Sequence, residues 1–274
     1  MSDYQHIRVE TIAPALGAVI HEVDCRANLS DRIIEEIRKA WLQHLVVFFP
    51  DQNLGPAEQL AFARRFGAPV EYPMVQGMIG FPEVVQVVKL PHEAHNFGGI
   101  WHSDTTYLEQ PPIGALLLAR ELPPVGGDTL FANMYLAYDA LSEGMKSLLD
   151  NLIVVQSSAK AGAARSREDR LSDESVVTKQ ALVAEHPAVR THPETGKKVL
   201  FVNYGHSIRF RDMTEAESKP MLDYLFEHQT RPEFTCRFQW SVGSMAMWDN
   251  RCTQHNPIND YHGFKRVMHR ISIN

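Results

Sequence analysis

His102 and Asp104 are separated by one residue in the run Gly98-Gly99-Ile100-Trp101-His102-Ser103-Asp104-Thr105-Thr106-Tyr107. On an extended backbone, side chains at i and i+2 leave the same face, so one imidazole and one carboxylate would converge on one point. Such a pair is two-thirds of the facial triad that holds non-heme Fe(II) with open coordination positions. A third ligand has to come from the other histidines. His255 stands out, because it follows Met245-Ala246-Met247-Trp248-Asp249-Asn250-Arg251, an apolar run ending in polar residues. Further on lie Arg266 and Arg270, which share a strand parity. Two arginines facing inward from a β segment are costly unless they meet an anion, so a carboxylate-bearing ligand is expected there. An internal Arg–Asp pair, with Asp249 or Asp260 as candidate partners, is the competing reading of the same two residues.

These residues must be positioned by the elements around them. Residues 7–24 look β-like around Pro14 and Gly17, and Ser30 suits the N-cap of a helix whose apolar face runs from Ile33 to Leu45. Leu45-Val46-Val47-Phe48-Phe49 reads as a buried strand, and Pro56 suits the first turn of a second helix ending by Gly67. From residue 82 short β-rich runs recur at 84–88, 113–119, 129–131, 199–202, 234–240, 244–248 and 267–273. Two helices interrupt them, at 133–149 and around 221–228. A Thr214-x-x-Glu217 capping box precedes the second, with Pro220 awkwardly inside. Many short strands with long insertions predict a mainly β chain with helical decorations, a jelly roll or related barrel. Residues 157–176 have no apolar face and read as a solvated loop, or as a lid over the site.

Bulk properties narrow the classes. The 274 residues are 44% hydrophobic and 22% charged, which suits a soluble globular chain read here as one domain, 1–274. A net charge of −6 gives no reason to expect nucleic acid or an anionic membrane as partner. Neither a membrane-length apolar run nor an apolar leader follows Met1, and Cys25, Cys236 and Cys252 show no C-x-x-C spacing. The expectation is a cytoplasmic protein with reduced thiols.

Four motifs now stand in order: His102-x-Asp104, Gly126-Gly127-Asp128-Thr129, Trp248-Asp249-Asn250-Arg251-x-Thr253-x-His255 and Arg266-x-x-x-Arg270. In that order they resemble the taurine dioxygenase / 2,4-dichlorophenoxyacetate dioxygenase family of Fe(II)- and 2-oxoglutarate-dependent oxygenases. The likeness extends to Gly17-Ala18-Val19-Ile20 and Phe62-Ala63-Arg64-Arg65-Phe66-Gly67. It implies a double-stranded β-helix of the clavaminate synthase-like kind. It implies further that His102, Asp104 and His255 bind Fe(II), that Arg266 and Thr129 hold the distal carboxylate of 2-oxoglutarate, and that Arg270 lies beside the co-substrate and contacts the anionic group of the prime substrate. Two imidazoles and a carboxylate leave three positions on an octahedral iron, two for 2-oxoglutarate and one for O2. Related halogenases lack the carboxylate, so Asp104 points to hydroxylation, with release of succinate and CO2.

The substrate is less fully written. Tyr72 stands where taurine enzymes carry a sulfonate-binding histidine, His206 replaces a pocket phenylalanine, and Phe97-Gly98-Gly99-Ile100 replaces polar residues. A small organic acid other than taurine is therefore expected, held by Arg270 with Tyr72, His206 and Ser103 beside it. The alternatives are a taurine, alkylsulfonate or alkylsulfate dioxygenase proper, or a non-catalytic metal-binding jelly roll. The resemblance also implies a homo-oligomer, a dimer or tetramer.

Overall fold

Strand β1 (Arg8–Thr11) returns antiparallel as β2 (Ala18–His21), and the chain then forms helix α1 (Asp31–His44). Ser30 caps α1 by accepting from the Ile33 N–H, and Ile34, Ile37, Ala40 and Trp41 make its buried face. Leu45 is not part of the next strand: it takes φ 66° and turns the chain into β3 (Val46–Phe49), every residue of which is buried. The computed structural model describes residues 4–73, 75–160 and 181–274. The loop-or-lid segment read at 157–176 therefore lies, from residue 161 onward, outside the described residues.

Next come α2 (Pro56–Ala63), β4 (Pro69–Val70), β5 (Val85–Lys89), β6 (Gly114–Glu121) and β7 (Thr129–Asn133). The helix expected over 133–149 is two, α3 (Met134–Asp139) and α4 (Glu143–Leu149), because Asn133 and Ser142 each cap a new start. After β8 (Ile153–Ser157), β9 (Val183–Pro187), β10 (Val189–Thr191), β11 (Lys198–Leu200) and β12 (Ser207–Phe210) lies α5 (Glu215–His228). Thr214 does close the capping box on Glu217, so α5 starts well before Met221. Pro220 is accommodated in it on an exposed stretch, where water can reach the Ala216 carbonyl that lacks a donor. The chain ends with β13 (Thr235–Phe238), β14 (Met245–Asp249), β15 (Thr253–Pro257) and β16 (Arg266–Ile273).

The eight-stranded main sheet runs β1-β2-β3-β14-β6-β16-β4, with β5 also on β16. Its central strand β14 is buried along its whole length, which is why it reads as an apolar run and not as an alternation. A three-stranded sheet, β13-β7-β15, faces it. Phe131 of β7 meets Phe48 of β3 and Trp248 of β14 edge-on or tilted, at 5.7 and 5.9 Å, and Phe238 of β13 stacks on Phe48 at 3.7 Å. Two such facing sheets, antiparallel except where β2 meets β3, with helices outside, make the mainly β jelly roll expected from the strand pattern.

Candidate active site

His102 and His255 are cross-strand partners. Each backbone N–H donates to the other's carbonyl, at 3.1 and 2.9 Å, so both rings leave the same face of β15, with centroids 4.2 Å apart. Asp104 joins them, as its spacing from His102 leads one to expect. Beyond the single His102 bridge the chain turns, and Thr105 takes φ 46°. Asn250 fixes the turn: its Oδ1 accepts from the Asp104 N–H at 2.6 Å, and its Nδ2 donates to the carbonyls of Asp104 (3.1 Å) and Pro112 (2.9 Å).

The two oxygens of Asp104 have separate surroundings. Oδ2 accepts from Arg270 Nη2 at 2.9 Å and Trp248 Nε1 at 3.2 Å. Oδ1 faces the two imidazoles, 3.5 Å from His102 Nε2 and 3.8 Å from His255 Nε2. His102 Nδ1 lies 2.7 Å from the Ile100 carbonyl, which can only accept, so the ring proton is assigned to Nδ1 and Nε2 carries the lone pair. Gly98 makes room for this ring: it has φ 71°, and a Cβ there would sit 3.0 Å from His102 Cε1. Burial pushes the Asp104 carboxyl up, but Arg270 and then the two imidazoles outweigh it and hold the group well below the usual carboxylate range. Burial, then His102, pushes His255 down to about 3, so it is a neutral imidazole. An ionised oxygen thus faces imidazole nitrogens at distances too long for hydrogen bonds, an arrangement that a cation completes.

Both imidazoles open on a cavity that Thr129, Arg266 and Arg270 also line. Arg266 and Arg270 do share a face of β16. Arg266 is buried, and its Nε and Nη2 have no hydrogen-bond partner among the described residues. Its Cζ lies 5.8 Å from the Trp240 ring and 6.0 Å from that of Tyr261. Burial lowers its pKa, yet a guanidinium stays charged in any protein setting, so this face of the cavity has an unmet demand for an anion. The internal Arg–Asp pair is made by Arg270, with Asp104 in place of Asp249 or Asp260. Asp249 is engaged by Arg251 (2.8 and 2.6 Å) and His192 (3.0 Å), and Asp260 accepts from the Gly127 N–H at 2.7 Å.

The chain matches the family model for taurine catabolism dioxygenase TauD, TfdA family, over residues 8–272. The chain belongs to the TauD/TfdA family. It is 34% identical to an alkylsulfatase of Acinetobacter baylyi over 98% of this chain and 85% of that one. It is 33% identical to an alpha-ketoglutarate-dependent sulfate ester dioxygenase of Pseudomonas putida, over 97% and 88%. The crystal structure of a taurine dioxygenase from Burkholderia xenovorans superposes with a TM-score of 0.83 at 35% identity, covering 98% of this chain and 89% of that one. The chain is accordingly a TauD/TfdA-family dioxygenase, an oxidoreductase that uses Fe(II), 2-oxoglutarate and O2.

Of the residues expected at the substrate, Tyr72 lies under Arg270 (5.2 Å from Cζ to the ring) with its hydroxyl 3.4 Å from that of Tyr107. His206 is packed edge-on against Tyr107 (4.9 Å) and His102 (6.1 Å). Ser103 is placed differently from the expectation. It is buried and donates its hydroxyl to the Thr253 carbonyl at 2.7 Å, bracing the ligand-bearing strand, because position 103 points away from the face that 102 uses. Trp248, buried in the core, donates to Asp104, and Trp240 donates to Thr129 Oγ1 at 3.0 Å.

A second group of metal-capable side chains, His192, Asp249 and Cys252, is also buried. His192 Nδ1 accepts from the N–H groups of Glu194 and Thr195, both at 3.2 Å, so its proton is on Nε2 and donates to Asp249. With that lone pair spent and Asp249 bound to Arg251, the group is a structural network and not a second metal centre in this TauD/TfdA-family dioxygenase.

Proposed function

We propose that this enzyme hydroxylates an aliphatic C–H of a small organic anion, with His102, Asp104 and His255 holding Fe(II) and Arg266 and Thr129 holding the distal carboxylate of 2-oxoglutarate. The observation that carries the reading is the buried, unpartnered Arg266 guanidinium on the same cavity as His102 and His255. Bound iron supplies the O2 chemistry that couples decarboxylation of 2-oxoglutarate to substrate oxidation. The chain's own residues do the rest. Arg270 and Trp248 neutralise and orient Asp104 Oδ2, leaving Oδ1 for the metal, and the Ile100 carbonyl keeps the proton off His102 Nε2. Apolar walls such as Leu117, Phe131 and Trp248 keep bulk water from the reacting carbon.

The anionic substrate rests on Arg270, whose Nε is buried and unpartnered while its Nη2 is engaged with Asp104. Tyr72 lies against Arg270 and His206 against His102, and both would shape the substrate end of the pocket. The relatives named as acting on alkyl sulfates and sulfate esters make such esters the first class to try. Succinate release, screened over sulfate esters, sulfonates, phosphonates and aryloxy or aliphatic carboxylates, tests this. Activity confined to uncharged or cationic compounds would end the anion reading. Residues 1–274 are read as one catalytic unit, a homo-oligomer acting in the cytoplasm. The family match across residues 8–272 and the three free, buried cysteines support the unit and the compartment, and light scattering tests the assembly.

A further inference from the structure

We infer that Trp240 is a positioning residue for the co-substrate, whose indole N–H fixes the Thr129 hydroxyl as a donor aimed at the distal carboxylate of 2-oxoglutarate. The inference rests on the roles proposed above for Thr129 and Arg266. Trp240 Nε1 lies 3.0 Å from Thr129 Oγ1, and both residues are buried. An indole N–H can only donate, so the threonine oxygen accepts there and its own proton must go elsewhere. Among the described residues no acceptor takes that proton, and Thr129 lines the cavity into which Arg266 also faces.

The threonine side chain makes this selection necessary. Its hydroxyl and methyl are close in size, and rotation about χ1 exchanges them, so packing alone would not keep the oxygen toward Arg266. The hydrogen bond from Trp240 does. The sheet holds the donor in place: Phe238 pairs with Thr129 across β13 and β7, which puts Trp240 two residues past the pairing position. The same indole ring lies 5.8 Å from Arg266 Cζ, so one side chain touches both groups that meet the carboxylate. Replacement by phenylalanine keeps a ring beside Arg266 and removes only the N–H.

The test compares two keto acids. Fe(II)-loaded wild type, Trp240→Phe, Thr129→Val, the double variant and Arg266→Gln are titrated anaerobically with 2-oxoglutarate and with 2-oxopentanoate, which lacks the distal carboxylate. Binding is followed by the absorption band of the metal-bound keto acid. Trp240→Phe should weaken 2-oxoglutarate about tenfold, the scale of one hydrogen bond to a charged group. It should leave 2-oxopentanoate unchanged and cost nothing more in the Thr129→Val background. In unmutated protein carrying Zn(II), the Trp240 indole N–H resonance should shift on adding 2-oxoglutarate and stay put with 2-oxopentanoate. Wild-type affinity in Trp240→Phe, equal losses for both keto acids, additive penalties or an unmoved resonance would each overturn the role of Trp240. A wild type that binds both keto acids equally, or an Arg266→Gln variant that binds 2-oxoglutarate normally, would instead overturn the assignment of the carboxylate site itself.

Discussion

Asn250→Ala separates two ways of aiming Asp104, by strand parity or by a side-chain clamp. Asn250 is 1% exposed and satisfies three backbone groups, the N–H and carbonyl of Asp104 and the carbonyl of Pro112. Truncation leaves all three buried without that partner, at about 1–3 kcal/mol each, less where a carbonyl finds water or a new donor. A loss of about 4 kcal/mol is a fair central figure. For 274 residues the unfolding entropy is about 0.6 kcal/mol per kelvin, so metal-free protein should melt about 7 °C lower. Freed of its clamp, the turn no longer holds Oδ1 between the imidazoles, and affinity for Mn(II) should fall at least about tenfold, as it does when an orienting partner is lost. Scanning calorimetry and a metal titration read the two effects separately. Asn250→Asp should not rescue either, because its second oxygen would face the two carbonyls that now receive Nδ2. If Asn250→Ala melted within about 1 °C of wild type and bound metal as tightly, the clamp would be dispensable and the reasoning wrong.

Three further outcomes follow from the site. His255→Ala should abolish metal-dependent succinate formation while the fold persists, since its ring nitrogens make no hydrogen bond that the fold depends on among the described residues; circular dichroism and turnover check both halves. Arg266→Met should leave the metal-free protein as stable as wild type or more so, because an unpaired buried charge is removed. The variant should also lose the stabilisation by 2-oxoglutarate that reaches about 2.7 kcal/mol at a hundredfold excess over Kd; a melt with and without ligand decides it. Asp249 is held below the usual carboxylate range: burial raises it, and Arg251 and His192 outweigh that. Its contribution is complete above its unfolded value of about 3.9 and is lost as pH falls through the lower folded-state value. Asp249→Asn should therefore lower stability at pH 7 and flatten the acid limb below about pH 4, and an unchanged limb in urea titrations would remove Asp249 as its source.

The strands that carry the site were legible because their patterning is local. The apolar run of β14 ends where polar residues begin, so His255 could be expected on the strand after it, and the four-residue spacing of Arg266 and Arg270 gives one face on any strand. The convergence of Asp104 with His102 was legible in their spacing. The turn directly after it was not, because the positive φ of Thr105 is one that no residue pattern signals. The split of the 133–149 helix was in principle readable, since Asn133 and Ser142 are both cap residues; the apolar period across them hid it.

What stayed out of reach shares one physical property, the length of chain between partners. Asn250 and Asp104 are 146 residues apart, Trp248 and Asp104 are 144, and Trp240 and Thr129 are 111. Periodicity and capping act over a turn of helix or a pair of strands, so they cannot report which buried tryptophan has a polar partner. A buried indole N–H nevertheless usually finds an acceptor, although that of Trp41 has none among the described residues. A tryptophan buried in an apolar strand, as Trp248 is in β14, therefore points to an acceptor on the neighbouring layer. Here that acceptor is the carboxylate oxygen that faces away from the imidazoles. The same hydrogen bond that satisfies the core leaves Asp104 with one oxygen to offer, and so couples the packing of β14 to the number of ligand atoms at the metal site.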